Sequence, residues 1–260
     1  MTVRLTARTA ARTLTLALCA ALLAAGAGAA HASAAGPPRR HDPERHDPTG
    51  HAPRGHDVSS HQSGVDWARA RADGARFAYV KATESTGYRS PAFERQYAEA
   101  DATGILRGAY HFAVPDRSSG AAQAAYFVRN GGAWRADGRT LPPALDMEYN
   151  PYGTHRCYGL DSAAMVRWIR SFSDEVLRLT GRRPVLYTTA DWWRLCTGNS
   201  TAFAGDHALW IARHGASDPG ALPGGWTTWT FWQSATAGTL PGDQDVFHGS
   251  LAGLRRFARG

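Results

Sequence analysis

From Gly55 onward, short apolar runs alternate with stretches of helical period. The runs at 55–61, 77–83, 108–113, 143–149, 184–189, 208–214, 228–234 and 244–247 read as strands, because they are brief and set off by turn residues. Helical stretches intervene at 67–73, 92–103 and 120–130. The clearest helix spans 161–180, where Met165, Trp168, Ile169, Phe172, Val176 and Leu179 fall on one stripe between an N-capping Asp161 and a stop at Gly181. After Trp210 the helical period vanishes until a helix-like segment at 251–258. Strands alternating with helices build βα units around a parallel sheet, and eight of them suggest a closed barrel. The span 55–260 holds 206 residues, short against the ~250 of a full (β/α)₈ barrel. The expected fold is therefore an α/β, modified TIM-like barrel with helices missing around the last strands.

The N-terminal fifth follows different rules. Arg4, Arg8 and Arg12 precede the apolar run 14–25, and the small-residue sequence Ala30-His31-Ala32 follows, which is the pattern of a secretory signal peptide over 1–32. The run is shorter than the ~20 residues a membrane-spanning helix needs. Residues 33–54 are rich in Pro, His, Arg and Asp and cannot build a core, so they read as a disordered linker. Histidines recur there every five residues from His41 to His61, but that is neither a helical nor a strand period, and Pro43, Pro48 and Pro53 interrupt it. A solvated linker explains the tract better than a metal site.

Export changes the reading of charge and cysteine. Cleavage removes three arginines and no acids, so the net charge falls from +7 to +4. A basic extracellular protein is drawn to polyanions such as a cell wall. All but one of the 29 basic residues are Arg, a bias that needs no polyanion to explain it, and no Arg-rich helix with interleaved aromatics suggests nucleic acid. Cys19 leaves with the signal peptide, and an oxidising compartment would pair the remaining Cys157 and Cys196. The expectation is a secreted monomer with no membrane association after cleavage.

The candidate chemistry lies in Leu145-Asp146-Met147-Glu148-Tyr149. On a strand, residues i and i+2 face one side, about 6.5–7 Å apart, so Asp146 and Glu148 would enter one cavity together. Close carboxylates push their pKa values apart, as an acid/base pair requires. The plain alternative is a polar loop or a structural ion pair. Asp57, at the end of the first strand, could project into the same mouth or equally cap a turn beside Ser59 and Ser60. In the last strand Asp245 is the better candidate, because Asp243 follows Pro-Gly and reads as a turn residue. Tyr79, Tyr110, Tyr187, Trp210 and Trp232 stand near strand ends, where aromatics with a few polar groups suit sugars. There is no G-x-S-x-G elbow, HExxH or P-loop, and His111 and His214 are isolated. No metal ligand set and no cofactor motif emerges.

Five segments together resemble the glycoside hydrolase family 25 lysozymes. They are Gly55-His56-Asp57-Val58-Ser59-Ser60-His61-Gln62, Phe77-Ala78-Tyr79-Val80-Lys81-Ala82-Thr83-Glu84, Gly108-Ala109-Tyr110-His111-Phe112, Asp146-Met147-Glu148 and Trp232-Gln233. The resemblance covers 55–260. It implies a secreted N-acetylmuramidase with a β5α5β3-type barrel, cleaving the β-1,4 bond between N-acetylmuramic acid and N-acetylglucosamine in peptidoglycan glycan strands. It also implies Glu148 as general acid, with Asp146, Asp57 and Asp245 as supporting carboxylates, and a substrate contact at Lys81. His56 stands where an apolar strand residue is expected. Two other readings are a chitinase-like barrel hydrolase, whose longer acidic run is replaced here by Pro142-Pro143-Ala144, and a non-catalytic cell-wall-binding barrel.

Overall fold

The computed structural model describes residues 52–260. The expected signal peptide, 1–32, and all but the last three residues of the expected linker, 33–54, lie outside the described residues. The elements run β1 (Arg54–Val58), α1 (Trp67–Ala72), β2 (Ala75–Glu84), β3 (Tyr88–Arg89), α2 (Phe93–Ala102), β4 (Leu106–Phe112), α3 (Gly120–Arg129) and β5 (Ala144–Met147). They continue as α4 (Ser162–Thr180), β6 (Val185–Thr189), α5 (Ala190–Thr197), β7 (Leu209–Ala212), β8 (Phe231–Ala235), β9 (Asp243–Phe247) and α6 (Leu251–Arg259).

Eight of these strands close a barrel in the order β1-β2-β4-β5-β6-β7-β8-β9, with β9 returning to β1. Five strand–helix units come first, then three strands with no helix between them. This is the trimmed α/β barrel that the pattern implies. Every neighbouring pair is parallel except those of β9, which runs antiparallel to both β8 and β1. The two-residue β3 stands outside the barrel, paired antiparallel with the end of β2. Strand β1 opens one residue before the expected start, and Pro53 already accepts a bond from Phe247 N at 2.9 Å.

Period-2 alternation splits the apolar side chains into two cores. Outward residues such as Val80, Leu145, Met147 and Ile211 meet the helices, while inward residues such as Phe77, Tyr79, Trp210 and Phe231 fill the barrel. Two glycines make room for the inner rings. A Cβ at Gly55 would lie 2.6 Å from the Phe77 ring, and one at Gly108 2.3 Å from the Tyr79 ring. Leu254 and Ala258 of α6 join the inner core, so its packing continues the barrel filling rather than the helix layer.

Helix α4 begins and ends as its sequence requires. Asp161 accepts from Ala164 N at 2.7 Å, and Gly181 takes the left-handed φ of 75° that favours glycine. Met165, Trp168, Ile169, Phe172 and Val176 are buried, but Leu179, expected on the same stripe, is 39% exposed in the last turn of the helix. Helix α5 is implied by the resemblance to a five-helix barrel but carries no periodic signal in the sequence. Its eight residues are too few to display a period, although Thr189 caps it and Gly198 ends it. Its Cys196 pairs with Cys157, with Cα atoms 5.4 Å apart.

His56 is completely buried on the outer face of β1, with its ring 5.3 Å from that of Trp67. Its Nδ1–H donates to the Pro241 carbonyl at 2.7 Å, and burial pushes its pKa down to about 4, so the ring is neutral. Because His56 turns outward, Asp57 turns in.

Candidate active site

In a parallel barrel the strands deliver their last side chains to one mouth. Here Asp57 comes from β1, Lys81 from β2, Tyr110 and Phe112 from β4, Asp146 from β5, Tyr187 from β6, Trp210 from β7 and Gln233 from β8, and all line one cavity of about 190 Å³. Glu148 joins them from just past the end of β5, and Asp243 from the start of β9. Asp146 and Glu148 therefore share a cavity, as the i, i+2 spacing requires.

Three expectations need correction. Tyr79 does not reach the cavity: it is fully buried, donates its hydroxyl to the Pro142 carbonyl at 3.0 Å and stacks beneath Trp210 at 4.8 Å. Trp232 lies on the outer face of β8, with its Nε1–H on the Arg213 carbonyl, because Phe231 and Gln233 take the inward positions. Asp245 is also withdrawn from the mouth. Strand β9 is antiparallel, so its first residue rather than its last stands at the top: Asp243 faces Asp57 across the ladder, while Asp245 lies two residues deeper, opposite Gly55. There Asp245 accepts the Trp210 indole N–H at 2.8 Å.

Gln233 is a cavity residue that the sequence alone did not single out. Its Nε2 donates to Asp57 Oδ2 at 2.7 Å, and its Oε1 accepts the Tyr187 hydroxyl at 2.8 Å. The alternation around Phe231 would have revealed it. Ser59, His61 and Phe112 also line the cavity without having been singled out individually.

Four carboxyls line this cavity with Asp245 buried beneath them, and Lys81, the only lysine of the chain, is the cation among the cavity residues. Its Nζ is 2.6 Å from Glu84 and 4.8 Å from the centre of the Phe112 ring. Burial, with the charge of Asp243 second, raises Asp57 to about 7. Burial foremost also raises Glu148, and it raises Asp146 and Asp245 well above the carboxylate range. The charge of Glu148 adds to the burial that raises Asp146, and the charge of Asp57 adds to the burial that raises Asp245. Burial disfavours the charged forms of Asp146 and Asp245 most strongly.

A larger cavity of about 580 Å³ adjoins this one beyond Glu148, lined by Tyr149, residues 189–191 and 212–214, and Arg156 and Arg194. The bridge between the two is His214, whose Nε2 lies 2.7 Å from Gln233 Oε1. Lacking buried carboxylates, the larger cavity is an extension of the cleft, and the chemistry belongs to the smaller one.

The family model of glycosyl hydrolases family 25 matches residues 56–243. The chain belongs to this family. It is a glycoside hydrolase with the family's barrel. The N,O-diacetylmuramidase of Chalaropsis sp is 47% identical over 207 residues, covering 78% of this chain and 98% of the relative. A family 25 lysozyme from Aspergillus fumigatus superposes with a TM-score of 0.79 at 47% identity, over 81% of this chain and 100% of that one. A muramidase from Acremonium alcalophilum gives 0.77 at 53% identity, over 80% and 99%. Among the described residues, no helix is long and apolar enough to cross a membrane.

Proposed function

We propose that this family 25 hydrolase is an exported muramidase that cleaves the β-1,4 bond between N-acetylmuramic acid and N-acetylglucosamine in peptidoglycan. The observation that carries this reading is the meeting of Asp146 and Glu148, both with raised pKa values, in one cavity at the barrel mouth. Its relatives named as muramidases and lysozyme support the substrate. The N-terminal signal pattern and the Cys157–Cys196 pair support export.

Glu148 is the general acid, and Asp146 is its partner. When glycan fills the cavity, the acetamido N–H donates to ionised Asp146, and Glu148 holds the proton. The acetamido carbonyl oxygen then attacks the anomeric carbon as the glycosidic bond breaks, and Glu148 gives its proton to the leaving oxygen. Water opens the resulting ring, forming a new bond to the anomeric carbon and returning its proton to Glu148. Asp57 tunes Glu148 through its charge and positions this water, while Asp245 supports Asp57 from below. No protein nucleophile is needed on this course.

The test compares wild type with Glu148→Gln on purified cell walls, by turbidity and by analysis of new reducing ends. The expected result is clearing with reducing ends at muramic acid by wild type, and a kcat loss on the order of 10²–10⁴-fold in the variant. Equal clearing by both would refute Glu148 as the acid. Binding without clearing by either would favour a wall-binding barrel, and a glycosyl adduct on Asp146 or Asp57 would exclude the acetamido course.

A further inference from the structure

The two ends of the barrel differ in charge. Four carboxyls line the mouth, whereas arginines gather at the opposite end, where β1 and β2 begin. Arg54 opens β1 and stands in register with Ala75, the first residue of β2. Two guanidinium groups donate to the Ala75 carbonyl: Arg71 Nη1 at 3.5 Å, from the last turn of α1, and Arg76 Nη1 at 3.2 Å, from β2 itself. Arg255 stands exposed on α6, the helix whose Leu254 and Ala258 are buried in the inner core. Burial, followed by the charges of Arg76 and Arg255, holds Arg71 below the ordinary arginine value, so these side chains share one patch.

Local packing does not account for the group. Exposed arginines outside it sit against carboxylates: Arg69 against Asp73, Arg89 against Glu94, Arg178 against Glu175 and Arg213 against Asp218. Among the described residues, no carboxylate lies within ion-pair distance of Arg54, Arg71, Arg76 or Arg255. The bias toward Arg over Lys explains which basic residue stands here, but not why acids are missing beside it. Like charges this close repel one another, so the patch costs the free protein stability. A ligand carrying several negative charges reverses that sign.

Guanidinium forks match phosphate oxygens in pairs. We infer that this arginine patch binds a phosphodiester polymer of the cell wall, which runs across the floor of the barrel while glycan occupies the mouth. The acids of the mouth repel a polyanion, so the floor is where it can be held without competing with the glycan. Nucleic acid carries the same phosphates, but its bases call for stacking rings. The exposed aromatic side chains, Tyr88 and Tyr152, stand at the other end, over the tip of β2. The wall as the source of the phosphates rests on the exported-muramidase reading.

The probe is purified poly(glycerol phosphate), titrated against the full-length protein at several salt concentrations. Arg71→Gln, Arg76→Gln and Arg255→Gln combined should raise Kd roughly tenfold at low salt. The slope of log Kd against log salt should fall by about 2, at ~0.7 for each phosphate neutralised on a single-stranded chain. Activity on soluble glycan should not change, because none of the three reaches the mouth. Arg255→Gln alone alters only an exposed helix position and should weaken binding roughly twofold, which keeps the test open if the triple variant fails to fold. A second triple, Arg89→Gln, Arg95→Gln and Arg167→Gln, removes the same charge elsewhere and should leave Kd nearly unchanged. Equal weakening by both triples, or no weakening by either, would overturn the patch. Equal affinity for single-stranded DNA of the same charge would overturn the wall polymer as its ligand. Failure of the muramidase reading shows separately, as an absence of new reducing ends when wild type acts on walls stripped of their phosphodiester polymers, and leaves the titration to decide the patch.

Discussion

Gln233 and Asp57 are joined across the barrel mouth by an N–H donated from Gln233 Nε2 to Asp57 Oδ2 at 2.7 Å. The amide is held in this sense because its oxygen accepts the Tyr187 hydroxyl at 2.8 Å, and turning it over would set that oxygen against the Asp57 carboxylate. The donor therefore favours the ionised form of Asp57, opposing the burial that raises it to about 7.

Replacing Gln233 by Leu removes this donor and lets the Asp57 pKa rise further. If ionised Asp57 supports turnover, the acidic limb of the kcat/KM profile moves to higher pH. Activity near pH 6 should fall on the order of tenfold, while activity well above neutrality falls less. An unmoved limb would show that Asp57 does not act as the anion.

Asp243→Asn should act with the opposite sign. The charge of Asp243 raises both Asp57 and Glu148. Its removal lowers both pKa values, and the whole bell-shaped profile shifts toward acid. A pH–rate series on soluble glycan reads the shift directly; movement of one limb alone would mean that Asp243 reaches only one of the two groups.

The raised Asp57 also has a stability consequence. Its folded pKa of about 7 exceeds the ordinary value of 3.8, so between these values the folded chain binds more protons than the unfolded one. Stability therefore declines as pH rises through that window. Asp57→Asn should relieve the buried charge, raising Tm by a few degrees at pH 8 and by much less at pH 5, while activity is lost. Scanning calorimetry at the two values tests this, and a gain that does not depend on pH would contradict the linkage.

The Cys157–Cys196 bond joins the loop after β5 to α5, across a separation of 39 residues. In the chain-entropy model such a closure contributes about 4 kcal/mol. The double substitution Cys157→Ser with Cys196→Ser should lower Tm by roughly 10 °C. Because Tyr149, Tyr152 and Arg156 ride on that loop, KM for long glycan should rise as well. A Tm loss with unchanged KM would confine the bond to stability.

The inward position of Asp146 and Glu148 was legible because strand alternation is local: two residues along the chain return to the same face whatever the rest of the molecule does. The strand–helix rhythm, the caps of α4 and the trimmed run of late strands were legible for the same reason, each being written within a few neighbouring residues. The depth of a side chain was not. Tyr79 and Tyr187 lie on inward faces of β2 and β6, yet only Tyr187 lines the cavity, because the layer a residue occupies depends on how neighbouring strands are staggered. Nor does any local pattern give the direction of β9. Its antiparallel return to β1 placed Asp243 at the mouth and Asp245 beneath it, and the inward turn of Phe231 put Gln233 rather than Trp232 against Asp57. Alternation specifies which residues travel together; closure of the barrel decides which set faces the cavity and how deep each member lies.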